Sequence, residues 1–309
     1  MKRKNPWVWY TNGNYRVFIN LENGTKIRKN ELDNLTPSHP ESMDIKITNR
    51  CKHGCVMCHE NSTKDGLHGD ILNAKFIETL LPYTELAIGG GNPLEHPDLE
   101  LFLRKCKLLK LIPSMTVHQD DFMNNLEFLR MLRDEELIWG IGVSVSYVTD
   151  ELIEALHEFP NAVCHIIAGI ATETVINKLA NNNLKVLILG YKVFRRGEAL
   201  YERDSTNIDF LIQYMYDVLP DMVNNGWFNT VSFDNLAIEQ LKPSRLLTKE
   251  QYDEFYMGDD GSHTMYVDLV NNEFAVSSTA TERFPVMDNI KDMFDKVREV
   301  SGHDTTEAL

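Results

Sequence analysis

The sequence predicts an α/β fold: a partial, TIM-like (β/α)6 barrel of parallel strands, with an N-terminal β-hairpin or meander and a small C-terminal α+β extension. Two observations predict it. From Met43 onward, short and continuously apolar segments alternate with helix-like ones, a pattern that argues for a parallel sheet buried on both faces by helices. Six or seven such units recur, which suits a barrel or partial barrel better than a short open sheet. Residues 1–42 read as the N-terminal extension and linker, 43–238 as the barrel, and 239–309 as a C-terminal extension covering it.

Taken in order, "WVWYTNGNYRVFINLENGTKIR" holds aromatic and β-branched runs broken at Asn12-Gly13 and Asn23-Gly24, both hairpin signals. "NELDNLTPSHPES" is a polar linker. The expected barrel strands are "MDIKIT", "ELAIGGG", "PSMTVH", "WGIGVSVS", "VCHIIAGI", "KVLILGYK" and "TVSFDNLAI". Between them lie expected helices such as "AKFIETLLPY", "DLELFLRKCKLLKL", "NLEFLRMLRDEE", "TDELIEALHEF", "ETVINKLANN" and "IDFLIQYMYDVLPDMVNN". Beyond Glu239, "HTMYVDLVNNEFAVSS" predicts a hairpin across Asn271-Asn272, "NIKDMFDKVREV" an amphipathic helix, and "SGHDTTEAL" a frayed tail.

The 309 residues are 43% hydrophobic and 25% charged, the balance of a globular protein with a large core. Lys and Arg number 31 against 46 Asp and Glu, a formal charge of -15 with no long basic run. That disfavours a partner gripped along an extended nucleic-acid backbone. The amino terminus lacks a signal-peptide apolar region, and no apolar run of about 18 residues offers a membrane span. A reducing cytoplasmic compartment is the simplest expectation. Five cysteines are too few and too unevenly placed for a disulfide scaffold.

Three of those cysteines fall in "ITNRCKHGCVMCHENS", immediately after the first barrel strand, where such a barrel carries its chemistry. Cys106 and Cys164 sit in an apolar helical face and a strand, as core thiols do. For Cys51, Cys55 and Cys58, structural thiols are one reading. Cys55-Val-Met-Cys58-His59 also matches c-type haem attachment, and the three thiols with His59 match a zinc site. The fourth reading is a [4Fe-4S] cluster on three thiolates with one iron left open.

C-x3-C-x2-C after the first strand resembles the signature of radical S-adenosylmethionine (radical SAM) enzymes. "LAIGGGNPLEHPDLE" is similar to the glycine-rich segment at that family's second strand. The resemblance spans residues 43–238 by architecture and the first two strands by motif. It implies one [4Fe-4S] cluster on Cys51, Cys55 and Cys58. It further implies SAM bound against Met57, Gly89, Gly90, Gly91, Asn92 and Pro93, with Ser144 and Ser146 of "GVSVS" offering polar groups. Two residues depart from the family pattern: Met57 replaces an aromatic and Asn92 a glutamate. The implied reaction is reductive SAM cleavage, with an electron delivered by an external flavodoxin- or ferredoxin-like donor. The resulting radical abstracts a hydrogen atom from a peptide or small polar metabolite, or alternatively from a nucleoside or nucleotide. A different class of function, a non-catalytic zinc-stabilised binding module, stands as the rival.

Candidate substrate contacts at later strand ends are His118, Tyr191, Lys192, Arg195 beside Arg196, Asp234 and Asn235. The C-terminal segment resembles the start of an auxiliary-cluster (SPASM or twitch-like) domain. Ser277 and Ser278 stand there where a cysteine is expected, so a second cluster lacks ligands.

Overall fold

Local turns organise the start of the chain. The computed structural model describes residues 5–31 and 34–303; the basic first residues and the end of the expected tail lie outside them. Strands β1 (Trp7–Asn12), β2 (Tyr15–Asn20) and β3 (Lys26–Lys29) form an antiparallel sheet in that order. Gly13 takes φ +59° in the first turn, as the Asn-Gly signal requires. Tyr10, Tyr15, Val17 and Ile19 bury one side of this meander against Ile112 and Trp139, at the amino-terminal ends of barrel strands. Glu41 locks it there. Its buried carboxylate accepts from the Tyr15 hydroxyl at 2.6 Å and from Arg28 Nε at 2.8 Å, and pairs with Lys26 at 3.3 Å. Burial pushes the Glu41 carboxyl up, but Lys26 and Arg28 hold it below the usual range.

The barrel follows as β4 (Ser42–Thr48), β5 (Glu85–Gly90), α1 (Leu99–Leu108), β6 (Ile112–His118), α2 (Gln119–Asn124), α3 (Leu126–Asp134), β7 (Gly140–Ser144), α4 (Asp150–His157), β8 (Ala162–Ile167), α5 (Glu173–Leu179), β9 (Lys185–Leu189), α6 (Arg196–Asn224) and β10 (Thr230–Phe233). Strands β4 to β10 pair in parallel, each with the next. After α7 (Asn235–Leu241) and α8 (Lys249–Phe255), β11 (Thr264–Asp268) pairs in parallel with β4. The expected hairpin pairs β11 with β12 (Glu273–Ala275), with Asn272 at φ +56° in its turn, and a further strand, β13 (Phe284–Pro285), which the sequence did not suggest, pairs with β12. The result is one ten-stranded sheet ordered β10-β9-β8-β7-β6-β5-β4-β11-β12-β13. It does not close: among the described residues, β10 and β13 remain its edges.

Alternation along β4 shows how the sheet divides inside from outside. Met43, Ile45 and Ile47 join the apolar layer under the helices, whereas Ser42, Asp44, Lys46 and Thr48 have the opposite phase, toward the barrel interior. Helix α9 (Ile290–Val300) packs Ile290, Met293, Phe294 and Val297 into that same apolar layer.

Four expectations need correction. "AKFIETLLPY" forms only a 3-10 turn over Lys75–Thr79, because the adjacent residues Phe76 and Ile77 are both buried and Thr79 Oγ1 bonds back to the Phe76 carbonyl. "TVSFDNLAI" is a strand only to Phe233; Asp234 accepts from the Ala237 amide and caps α7, so Asp234 and Asn235 begin a helix. Ser146 does not share a strand with Ser144, since β7 ends at Ser144 and the Ser146 amide turns to Gln119 Oε1 at 2.6 Å. Helix α6 starts at Arg196, earlier than the pattern suggested, and kinks at Asp204.

Because α9 belongs to the barrel's own core, Phe294→Ala should cost about 3–5 kcal/mol. Urea denaturation followed by circular dichroism is expected to show one cooperative transition moved to lower denaturant.

Candidate active site

The cysteine loop leaves β4 and folds back along itself. The Asn49 amide donates to the Leu67 carbonyl at 2.7 Å, that of Thr63 to Asn49 at 3.0 Å, and that of Cys51 to Thr63 at 2.8 Å. This short ladder fixes the first cysteine, and a bond from the Cys58 amide to the Cys55 carbonyl at 3.2 Å fixes the turn holding the other two. All three thiols are free and half-buried. Burial pushes the Cys51 thiol up, the His53 amide draws it down, and the charges of Cys55 and Cys58 push it up again. Cys55 is raised by burial and then by Cys58. Their charges act on one another, and as three soft donors within one short loop they fit a [4Fe-4S] cluster. Cys106 and Cys164, by contrast, are buried and pushed up to about 12 by burial.

Two sets of cations hold the loop's returning limb. Lys46, fully buried on β4, pairs with Glu60 at 3.0 Å and with Asp268 of β11 at 3.1 Å. The Tyr266 hydroxyl donates to the same Glu60 carboxylate at 3.1 Å. Burial raises the Glu60 carboxyl, but its bonds and charge pairing with His59 and Lys46 hold it far below the usual range. Arg195 Nη1 donates to the Glu60 carbonyl at 3.0 Å and Arg196 Nη2 to the Ser62 carbonyl at 2.6 Å. Arg195 does this from a strained backbone, φ +51° and ψ -119°. Met57 packs with Tyr191, Leu200 and Ile208, and the Tyr191 hydroxyl donates to the Gly197 carbonyl at 2.7 Å.

The neighbouring glycine segment divides its labour. A Cβ on Gly90 would lie 2.4 Å from the Thr48 carbonyl oxygen and 2.6 Å from Lys46 Cγ, and one on Gly91 would lie 2.2 Å from the Arg50 carbonyl oxygen. These two glycines let β5 close against the cysteine loop. Gly91 and Asn92 donate to Thr48 and Arg50 carbonyls, both at 2.7 Å. A Cβ on Gly89 would meet nothing within 4 Å, so this position borders open space inside the barrel. Asn92 Oδ1 caps the turn beginning at Pro93 by accepting from the Leu94 amide at 3.1 Å.

Other candidates are spread around the barrel mouth. His118 caps α2 and stacks on His53 of the cysteine loop. Ser144 ends β7 opposite His165 of β8, a residue that sequence reasoning missed. Gly142 makes room for the His165 ring, which burial lowers to about 4 and keeps neutral near pH 7. Lys192, Asp234 and Asn235 line a side cavity of about 710 Å³ with Asp44, Asp260, Ser277 and Ser278. Lys192 Nζ donates to Ser278 Oγ at 3.1 Å, and Asn235 Nδ2 to Asp260 Oδ1 at 2.6 Å. Asp44 is open to the cavity, yet partial desolvation by the surrounding walls pushes it up to about 6, with Lys192 opposing and Asp260, Glu60 and Asp234 reinforcing. The charge of Lys192 also lowers His59, after burial, so the cavity and the cysteine loop share one field.

Removing Lys46 leaves two buried carboxylates uncompensated, so Lys46→Met should cost about 3–5 kcal/mol in urea unfolding. Gly91→Ala should cost about 1–3 kcal/mol by forcing the Arg50 carbonyl aside, whereas Gly89→Ala should leave stability within about 0.5 kcal/mol in the same unfolding measurement.

No known protein family and no curated protein matches the sequence. Solved structures do. SuiB of Streptococcus suis bound to S-adenosylmethionine superposes with a TM-score of 0.60 at 13% identity, over 99% of this chain and 89% of that one. SuiB bound to the precursor peptide SuiA gives 0.59 at 12% identity, over 97% and 88%. A third structure of SuiB gives 0.55 at 12% identity, over 99% and 89%. At these identities the likeness establishes the fold: the chain has the mostly parallel, partial-barrel architecture of SuiB from end to end of its described residues.

Proposed function

We propose that the protein is a radical SAM enzyme acting on a peptide. The observation that carries this reading is the pairing, at adjacent strand ends, of three free, half-buried thiols in one loop with the open position at Gly89. Likeness to SuiB structures bound to S-adenosylmethionine and to a precursor peptide supports it.

Cys51, Cys55 and Cys58 would hold three irons of a [4Fe-4S] cluster, leaving the fourth for SAM. When bound, the cluster and SAM supply the reducing electron and the hydrogen-abstracting adenosyl radical. The chain's own residues do the rest. Lys46, Arg195 and Arg196 hold the loop in place, Gly89 admits the ligand, and Ser144 with neutral His165 offers hydrogen bonds from the opposite strands. Exposed Lys52 and Val56 on the cysteine loop give an external flavodoxin- or ferredoxin-like donor a surface to approach.

The side cavity sets the substrate preference. Asp44, Asp234, Glu239 and Asp260 line it against Lys192, while Lys26 and Arg28 are already paired with Glu41. This excess of carboxylate favours a cationic or neutral polar segment of peptide over a nucleotide's phosphates. Arg195 and Arg196, two further cations near the mouth, already serve loop carbonyls.

Anaerobic reconstitution with iron, sulfide, dithionite and SAM should yield a cluster of four irons and 5'-deoxyadenosine. Cys55→Ala should lose cluster and product together. Zinc held by the three thiolates, without acid-labile sulfide, would instead establish the binding-module alternative.

A further inference from the structure

The amino-terminal meander has a second face. Tyr10, Tyr15, Val17 and Ile19 pack toward the barrel, so the residues alternating with them along β1 and β2 turn to solvent. Strand pairing sets these in rows: Trp9 opposite Phe18 and Phe18 opposite Ile27, then Thr11 opposite Arg16 and Arg16 opposite Lys29. Trp7 stands two residues from Trp9 on the same face, opposite Asn20. Trp9 is 57% exposed, Ile27 50% and Trp7 39%. Scattered exposed apolar residues need no explanation, but aromatic ones gathered on one small sheet mark a contact surface.

Charge singles out the same segment. Residues 1–29 hold seven of the 31 Lys and Arg but one of the 46 Asp and Glu, a charge of +6, while the remaining 24 Lys and Arg against 45 Asp and Glu give -21. Lys26 and Arg28, on the inward phase, are held by Glu41. Arg16 and Lys29, on the outward phase, have no carboxylate partner among the described residues, and the Arg16 guanidinium lies over the Trp9 ring, 5.4 Å from its centroid. The one acid of the segment, Glu22, lies in the turn beyond Asn20. Exposed rings and unpaired cations therefore share one face, and that combination fits an anionic partner with flat groups to stack.

We propose that this face binds a short stretch of single-stranded nucleic acid, stacking bases on Trp7, Trp9 and Phe18 and holding phosphates with Arg16 and Lys29. Side chains two apart on a strand stand about 6.6–6.8 Å from each other, roughly twice the 3.4 Å spacing of bases along one strand of a duplex. Successive bases must splay to reach both tryptophans, which a single strand does and a duplex does not. A duplex or an anionic bilayer would also bring many charges against the -21 on the rest of the chain, whereas a thin strand of a few nucleotides touches the meander alone. An acidic peptide joining a sheet takes its edge rather than its face. The chain's overall charge disfavours an extended grip on a nucleic-acid backbone; the meander offers a short one. It lies at the amino-terminal ends of the barrel strands, away from the cysteine loop, so a strand held there is anchored rather than fed to the chemistry.

The test titrates the full-length protein into a fluorescein-labelled oligothymidylate of about ten nucleotides and follows anisotropy. Saturable binding is expected at low salt, with log affinity falling against log salt at a slope of about -1 to -2, as two neutralised phosphates require on a single strand. Trp9→Ala should weaken binding about tenfold or more. Arg16→Gln combined with Lys29→Gln should bring the salt slope close to zero. All three side chains are exposed, so the urea midpoint should stay unchanged in both variants and a loss of binding reads the face itself. A duplex of the same length should bind at least about tenfold more weakly, and neither phosphatidylserine vesicles nor polyglutamate should displace the oligonucleotide. Absence of saturable binding, indifference to Trp9→Ala, a salt slope unchanged in the double variant, equal affinity for the duplex, or displacement by vesicles or polyglutamate overturns the proposal. None of these measurements uses a cluster or SAM, so failure here is distinguishable from failure of the proposed reaction.

Discussion

Everything at the barrel mouth depends on one buried ammonium. Lys46 reaches Glu60 in the cysteine loop and Asp268 at the end of β11, so a single side chain joins the first barrel strand, the loop it feeds and the C-terminal hairpin. Burying such a charge is costly, and only close, multiply bonded partners repay it. Here Tyr266 bonds the Glu60 carboxylate, while the Val270 and Asn271 amides bond Asp268 at 3.0 Å. The network thereby fixes where the loop that carries the three thiols turns back. Gly90 is part of the same arrangement, because a side chain there would strike the Lys46 stem.

The alternation of strands and helices, the meander signals and the cysteine and glycine motifs were all legible in the sequence, because each depends on local chemistry or short spacing. What escaped notice depends on depth. "SMDIKIT" places Asp44 and Lys46 in alternation with Met43, Ile45 and Ile47, a phase that marks inward charges, yet it passes for an ordinary strand until the partners at 60 and 268 are known. Gly142 and His165 form a spatial pair that neither residue announces alone. The opposite error came at residues 234 and 235, where a capping aspartate reads from sequence as the end of a strand. The three glycines read as one motif, yet two serve the close approach of backbones and one leaves space.

The open sheet gives the interior two distinct boundaries. The meander seals the amino-terminal ends of the strands through Glu41 and a small apolar cluster. Between β10 and the β11–β12 hairpin, the wall is replaced by a polar cavity bordered by α7 and the segment around Ser278. A closed barrel would exchange that cavity for ladder hydrogen bonds. Here the missing wall leaves Lys192 facing both the cavity's carboxylates and the edge of the cysteine loop.

Pairing of β4 with β11 also has a consequence in time. Roughly 220 residues separate Lys46 from Asp268, and a ribosome adding about 5–20 residues per second needs on the order of ten to forty seconds to supply the second partner after the first. Throughout that interval the early strands exist without the carboxylate that neutralises Lys46 and without the neighbour that covers their edge. The partners of Glu41, by contrast, are Tyr15, Lys26 and Arg28, all made before it, so that carboxylate never waits for a later strand. Completion of the mouth belongs instead to the finished chain, and the cysteine loop reaches its final form only after nearly the last strand has been made.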